Sequence, residues 1–508
     1  ASSAHAVLAQ PRPSSVRMGA RVRLGAPARP CGAMRAAARA LAALSVWGWA
    51  KRCDAAPEAD RVDSLPGWPG QPPTGWFSGY LSFGKKHLHY VLVESESRDP
   101  AAPLLLWMNG GPGCSSMDGL LYEHGPLLID RFGKVLYQNP YAWNRLASVL
   151  YLEAPVGVGY SYSEDPGDTQ RLNDDQTATD NLAALTVFFS KFPEYKQRPF
   201  YISGESYGGV YVPTLSLKIL NDPSVDWNMR GFIVGNGVFD WNLMKRSSVQ
   251  FLYGHGALSE KQAADIKAAC GAEYSSEACK EMLDVMDRKT SGLNFYDYYR
   301  SCFHAGAVGG LPLTAHRIAQ APELLRDVVR MPRPPHPALQ ESVPCLDNIG
   351  ATEWLARPEV RAALHIEASL PNWTICASDI KYERNMSYSA PGLYAQMKDK
   401  YKILVYNGDT DMACDYIATA WAVSAINATT DPQYDWAPWT IKAPDGEQTA
   451  GFLTKYDTTP GMFFVTVKGA GHMVPQWKPQ AAFEMLGRFL AGKRMTDGVA
   501  DGELGVVV

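Results

Sequence analysis

The sequence predicts an α/β fold with a mostly parallel central sheet and helices on both faces. Three observations predict it. Apolar runs of strand length, such as Leu104-Leu105-Leu106-Trp107-Met108 and Val149-Leu150-Tyr151-Leu152, alternate with segments of helical periodicity. Unbroken apolar runs suit strands that are covered on both faces. These runs give way to loops rich in glycine, as at Asn109-Gly110-Gly111-Pro112-Gly113 and Gly235-Asn236-Gly237. Ligands of open α/β sheets sit at the carboxyl ends of strands, where such loops lie. The third observation is Phe200-Tyr201-Ile202, which reads as a strand and runs through Gly204-Glu205-Ser206-Tyr207-Gly208 into a helix-like segment.

The 508 residues are 46% hydrophobic and 20% charged, with a formal net charge of −4. That is an ordinary globular balance, and length alone would suggest about three domains. Near-neutral charge gives no reason to expect nucleic acid. Past residue 60, no stretch holds the roughly eighteen uninterrupted apolar residues of a membrane helix.

Residues 1–33 are rich in Ala, Arg, Pro and Ser without periodicity. Met34 then opens a basic start and a short apolar run up to Lys51. This matches a secretory signal cut near Ala55-Ala56; a disordered arm and an organellar presequence are the competing readings. Residues 1–55 are therefore set outside the fold. Of nine cysteines, Cys31 and Cys53 fall in this leader and seven remain, so at least one is free if the others pair. No Cys-x-x-Cys pair occurs, which argues against zinc and thioredoxin chemistry. Sequons at Asn372, Asn385 and Asn427 fit a glycosylated secretory product.

The elements follow in order. Residues 56–75 are a Pro/Gly-rich lead-in. Tyr80-Leu81-Ser82-Phe83 and Leu88 to Val93 form a hairpin around Gly84-Lys85-Lys86. Thr179 to Phe192 puts Leu182, Leu185, Phe188, Phe189 and Phe192 on one helical face. From 241 to 348 the texture turns polar and irregular, with Cys270, Cys279, Cys302 and a proline-rich run at 331–337. This reads as a cap inserted between core segments 56–240 and 349–495, because strand signals resume at Lys402 to Asp409 and Met462 to Val467. A separate domain is the alternative. Pro479 to Leu490 is an amphipathic helix, and 496–508 a flexible tail.

Gly-x-Ser-x-Gly between a strand and a helix is a nucleophile-elbow pattern, although glycine turns also produce it. A serine hydroxyl needs a base to accept its proton. His472, in Gly469-Ala470-Gly471-His472, lies on a loop directly after a strand, as does Asp411 in Asn407-Gly408-Asp409-Thr410-Asp411. An acid there can bind the Nδ1 hydrogen of His472 and fix its tautomer. The chain order Ser, Asp, His is that of the α/β-hydrolases. The expected oxyanion donors are the N–H groups of Tyr207 and Gly111.

Five blocks in this order resemble the serine carboxypeptidases, peptidase family S10: Trp107 to Ser116, Gly119 to Pro126, Gly204 to Pro213, Asn407 to Cys414 and Gly469 to Pro475. The resemblance runs from about residue 65 to 490 and implies an α/β-hydrolase fold. It implies Ser206, Asp411 and His472 as a triad that releases the carboxyl-terminal residue of peptides. It also implies that Asn109, Gly110 and Glu205 hold the substrate's terminal carboxylate, with Glu123 beside Glu205. Two close carboxyls cannot both ionise cheaply, so one should keep a proton and donate it to that carboxylate, which favours acidic pH. Bridges Cys114–Cys376 and Cys302–Cys345 are implied, leaving Cys270–Cys279 to pair and Cys414 free. No cofactor or metal is implied. The family's lysosomal members further imply a lysosomal or secreted homodimer, a precursor cut within Arg326 to Ser342, and a stabilising partnership with lysosomal β-galactosidase and neuraminidase. A mainly non-catalytic partner and an acyltransferase on the same scaffold are the alternative functions.

Overall fold

The computed structural model describes residues 57–97, 99–302 and 345–495. The expected leader with Cys31 and Cys53, the expected cut region from Arg326 to Ser342 and the expected tail from 496 lie outside the described residues.

Strands β1 (Trp76–Phe83) and β2 (Lys86–Val93) pair antiparallel, with Phe83 opposite Lys86. The turn is thus Gly84 and Lys85 alone, and Lys86 belongs to the strand. Then come β3 (Leu104–Met108), β4 (Ser148–Leu152), β5 (Phe200–Glu205), β6 (Met229–Gly235), β7 (Lys402–Gly408), β8 (Ala437–Ala443), β9 (Gly446–Tyr456) and β10 (Met462–Val467). With the short strand Tyr162–Ser163 they make one eleven-stranded sheet in the order β1-β2-β4-β3-β5-β6-β7-β10-β9-β8. Every pair from β4 across to β10 is parallel, and the strands at both edges are antiparallel. This is the expected α/β-hydrolase arrangement. The β8–β9 hairpin is an addition to the sequence reading. Its local signal is Pro444-Asp445-Gly446, a turn sequence between two strand-length runs.

The sheet splits the core in two. Leu104, Leu106 and Met108 of β3 face one apolar cluster, and Leu105 and Trp107 face the other, as the period of two in a strand requires. Helix α1 (Asp174–Lys191) buries Leu185, Phe188 and Phe189 in the first cluster, beside α2 (Gly208–Asn221). The Asn173 side chain starts α1 by accepting the Gln176 amide, satisfying one orphan N–H of the first turn.

The described part of segment 241–348, expected as a cap, corrects the expectation of irregular chain. It holds three helices, α3 (Trp241–Gly254), α4 (Glu260–Cys270) and α5 (Glu277–Thr290). Their apolar residues form a small cluster of their own, including Val249, Phe251, Ile266 and Met286. Each helix is mostly solvated, so its composition is polar and hid its periodicity. Ser259 and Gln262 cap α4 reciprocally. Disulfides join Cys270–Cys279, Cys302–Cys345 and Cys114–Cys376, and Cys414 is free and buried. The remaining helices used below are α6 (Tyr416–Ser424) and α7 (Pro479–Ala491), whose Ala482, Leu486 and Phe489 close the second cluster. Among the described residues no helix is long and apolar enough to cross a membrane.

Candidate active site

Parallel strands aim their carboxyl ends the same way, so β3, β5, β6, β7 and β10 bring five loops to one edge. Ser206 follows β5 and has φ 61°, a left-handed conformation that costs a non-glycine residue about 1–3 kcal/mol. The surroundings hold it there. Its amide donates to the carbonyls of Gly235 and Asn236, each at 3.1 Å, and its carbonyl accepts from Gly209 and Val238, each at 2.9 Å. Gly204 is needed because a Cβ there would lie 2.5 Å from the Met108 carbonyl oxygen.

Asp411 follows β7 and His472 follows β10, neighbouring strands in the sheet. His472 Nδ1 and Asp411 Oδ2 are 2.7 Å apart, and both side chains are buried. Asp411 also accepts from Ala413 N at 2.8 Å, Cys414 N at 3.2 Å and Asn236 Nδ2 at 2.8 Å. With so many donors, the Asp411 side chain is fixed in orientation, with one oxygen facing the His472 ring. Among the described residues, no hydrogen bond runs directly from the Ser206 hydroxyl to His472; Asn236 and Asp411 join them. Such bonds are often long in the free enzyme and tighten with substrate.

Asn109 follows β3. Its Oδ1 accepts from Trp107 Nε1 at 2.8 Å and Gly119 N at 3.1 Å. Two donors on one amide atom identify it as the oxygen, so the NH2 group faces the other way. There Nδ2 donates to Glu205 Oε1 at 3.0 Å and Glu123 Oε1 at 3.2 Å. Both glutamates are buried and meet at the shared Asn109 amide. Burial above all, and then Glu123 and Asp118, push Glu205 well above the usual carboxyl range. Burial and the nearby Asp118 push Glu123 up to about 8. Asp118, half-buried, is raised to about 7 by desolvation, with His472 pulling the other way. Carboxylate oxygens of Asp118, Glu123 and Glu205 lie within 4.8 Å of one another. That spacing could hold a cation, but groups with raised pKa values carry protons at acidic pH and are then hydrogen-bond donors.

Gly110 packs against the elbow. A Cβ there would be 2.3 Å from Tyr207 N and 2.7 Å from Ser206 Cβ. Gly111 has φ 111° and is exposed. The Tyr207 N–H is at the start of α2, where helix amides lack partners within the helix. The sequence reading missed two residues of this site. Asn236, φ 41°, is buried and ties the serine turn to Asp411. Its signal was the Gly-Asn-Gly loop after a strand. Asp118 is the third acid, and nothing local marked it.

Residues 66–492 match the family model described as serine carboxypeptidase, peptidase S10. The chain is 40% identical to the lysosomal protective protein of Mus musculus over 480 residues, covering 88% of this chain and 97% of that one. It is 37% identical to a serine carboxypeptidase of Caenorhabditis elegans, covering 87% and 95%. Serine carboxypeptidase 1 of Hordeum vulgare is 34% identical, covering 87% and 94%. A solved structure, a prohormone-processing carboxypeptidase from Saccharomyces cerevisiae, shares the fold with a TM-score of 0.65 at 20% identity, covering 86% and 97%. The chain belongs to the serine carboxypeptidase family and is a serine-type carboxypeptidase.

Proposed function

We propose that Ser206, Asp411 and His472 are the catalytic residues, and that the enzyme works best at acidic pH because the site of Asn109, Glu205 and Glu123 must be protonated to take a peptide's terminal carboxylate. One observation carries this reading: Glu205, which shares the Asn109 amide with Glu123, immediately precedes the Ser206 elbow. A chain end gripped there sets the last peptide bond against the serine.

In this mechanism Ser206 Oγ attacks the scissile carbonyl carbon while His472 Nε2 takes the hydroxyl proton. His472 Nδ1–H donates to Asp411 throughout. The carbonyl oxygen becomes an oxyanion held by the Gly111 and Tyr207 N–H groups. The tetrahedral centre collapses, the C–N bond breaks, and His472 returns the proton to the departing amine. Water then attacks the acyl-enzyme with the same proton relay, freeing the shortened peptide and Ser206. Asn109, the Gly110 backbone and protonated Glu205 bind the substrate's carboxylate.

A blocked dipeptide with a free carboxylate should be cleaved at acidic pH, its carboxamide analogue should not, and Ser206→Ala should abolish cleavage. Hydrolysis retained by Ser206→Ala would overturn the assignment.

We also propose a lysosomal or secreted location reached through the secretory pathway. The mouse relative's name and the acid-favouring site support it. Asn372, Asn385 and Asn427 are all exposed, which suits them as glycan acceptors. Partnership with lysosomal β-galactosidase and neuraminidase, and a homodimer, rest on the family resemblance alone.

A further inference from the structure

The cap is joined to the catalytic loops by main-chain hydrogen bonds. Residues 294–300 leave α5 and run across the loops after β7 and β10. The Phe295 carbonyl accepts from Met412 N at 3.0 Å, the Tyr296 carbonyl from His472 N at 2.8 Å, and Tyr298 N donates to the Thr410 carbonyl at 2.9 Å. One short segment therefore grips the residues on both sides of Asp411 and the backbone of His472 itself.

The shape of this segment is set by two buried side chains. Asn294 Oδ1 accepts from Tyr296 N at 3.0 Å and its Nδ2 donates to the Ser301 carbonyl at 3.2 Å. Asp297 Oδ1 accepts from Tyr299 N at 3.1 Å, and its Oδ2 accepts from Arg300 Nε at 3.0 Å. Arg300 in turn lies over the Trp477 ring, 4.9 Å from its centre, just beyond His472 in the chain. Gly471 makes the close approach possible: a Cβ there would lie 2.2 Å from the Tyr296 carbonyl oxygen and 2.7 Å from Asp297 Cβ. The two catalytic loops also touch each other, through Thr410 N to the Ala470 carbonyl at 2.9 Å. That bond lies one residue before Asp411 and two before His472; the cap segment adds bonds to Thr410, Met412 and His472 itself, while the Asp411 carboxylate is held by Ala413 N, Cys414 N and Asn236 Nδ2.

We propose that residues 294–300 are a strap that sets the position of His472 against Asp411, and that Asn294 and Asp297 are positioning residues for this acid–base pair. The inference rests on the triad reading above. Among the described residues the strap's hydrogen bonds go to the loops of Asp411 and His472 and none goes to Asn109, Glu123 or Glu205, so its main effect is on the chemical step rather than the grip on the chain end.

Asp297→Leu removes the acceptor for Tyr299 and Arg300. A misplacement of about 1 Å at a catalytic group costs about a hundredfold in rate, so kcat on a blocked dipeptide should fall about tenfold to a hundredfold. KM should change less than about twofold, because uniform binding is untouched. Asp297→Asn keeps an oxygen for Tyr299 N and should recover most of kcat. Hydrogen exchange on the unaltered protein gives a second measurement that does not depend on a variant folding. The amides of Tyr298, Met412 and His472 should exchange as one cooperative unit. Unchanged kcat in folded Asp297→Leu, or independent exchange of these three amides, would overturn the strap. If instead Ser206→Ala stays active, the triad reading fails while the exchange result still stands or falls on its own.

Discussion

Asn236 holds Asp411 with its side chain and Ser206 with its backbone. Its Nδ2 donates to Asp411 Oδ2 at 2.8 Å, its carbonyl accepts the Ser206 amide at 3.1 Å, and its Oδ1 accepts from Gly408 N at 3.1 Å. One residue, fully buried on the loop after β6, thus links the strained turn of Ser206 to the orientation of Asp411.

Asn236→Ala should therefore lower kcat with little change in KM. Losing a buried hydrogen bond to a charged group costs about 1.5–3 kcal/mol, which is about a ten- to 150-fold loss of rate. Steady-state kinetics on a blocked dipeptide read this directly, and a kcat within twofold of the unaltered enzyme would count against the role.

The carboxylate site predicts the pH dependence of substrate affinity. In the unaltered enzyme KM should be lowest at acidic pH and rise as the Glu123–Glu205 pair loses its proton. Glu205→Gln carries a permanent N–H donor, so its KM should stay flat over the same range. A KM that still climbs toward neutral pH in Glu205→Gln would refute the shared-proton account.

Stability should follow the same groups. Glu123 moves from 4.5 when unfolded to about 8 in the folded chain, and Asp118 from 3.8 to about 7, both chiefly through burial. Asp415, which caps α6, is likewise raised to about 7 by burial. Between those values the folded chain holds protons that the unfolded chain has released. Their stabilising contribution is full below about pH 4 and is lost as pH rises through about 7 to 8. The thermal midpoint should fall between about pH 5 and pH 8, and Glu123→Gln should flatten part of that fall. A midpoint that rises across this interval would contradict the assignment.

Gly110→Ala tests the fit of the β3 loop against the elbow. A Cβ would sit 2.3 Å from Tyr207 N, pushing away one proposed oxyanion donor. Loss of such a donor costs about a hundredfold or more in kcat. Gly392→Ala, where a Cβ meets nothing within 4 Å, is the matched control and should leave activity unchanged. Equal kinetics for the two variants would remove Gly110 and Tyr207 N from the account.

The cap and the last hairpin show where sequence reading stops short. Helices α3 to α5 bury only a few residues each, such as Cys279 and Met286 of α5. A thin apolar stripe in a charged segment carries little periodic signal, so the region read as irregular. Strands β3, β4 and β5 are buried along their whole length, and their unbroken apolar runs were plain. The β8–β9 hairpin carried a turn signal, but β8 buries only Trp439 fully and the first four residues of β9 are exposed, so neither strand shows an unbroken apolar run.

By itself, the order of residues determined the family, the α/β fold and the strand-end loops that carry Ser206, Asp411, His472 and Asn109. Those features are local: a strand, its glycine-rich exit and the residue on it are neighbours in the chain. Only the tertiary structure decided that Asn236 supports Asp411, that Asp118 joins the two glutamates, and that residues 294–300 of the cap bind the loops after β7 and β10. Apart from Asp118 and Glu123, which are near neighbours in the chain, those groups are separated by scores to hundreds of residues and brought together by the packed sheet. Their proximity is a property of the packed sheet, and no short stretch of sequence encodes it.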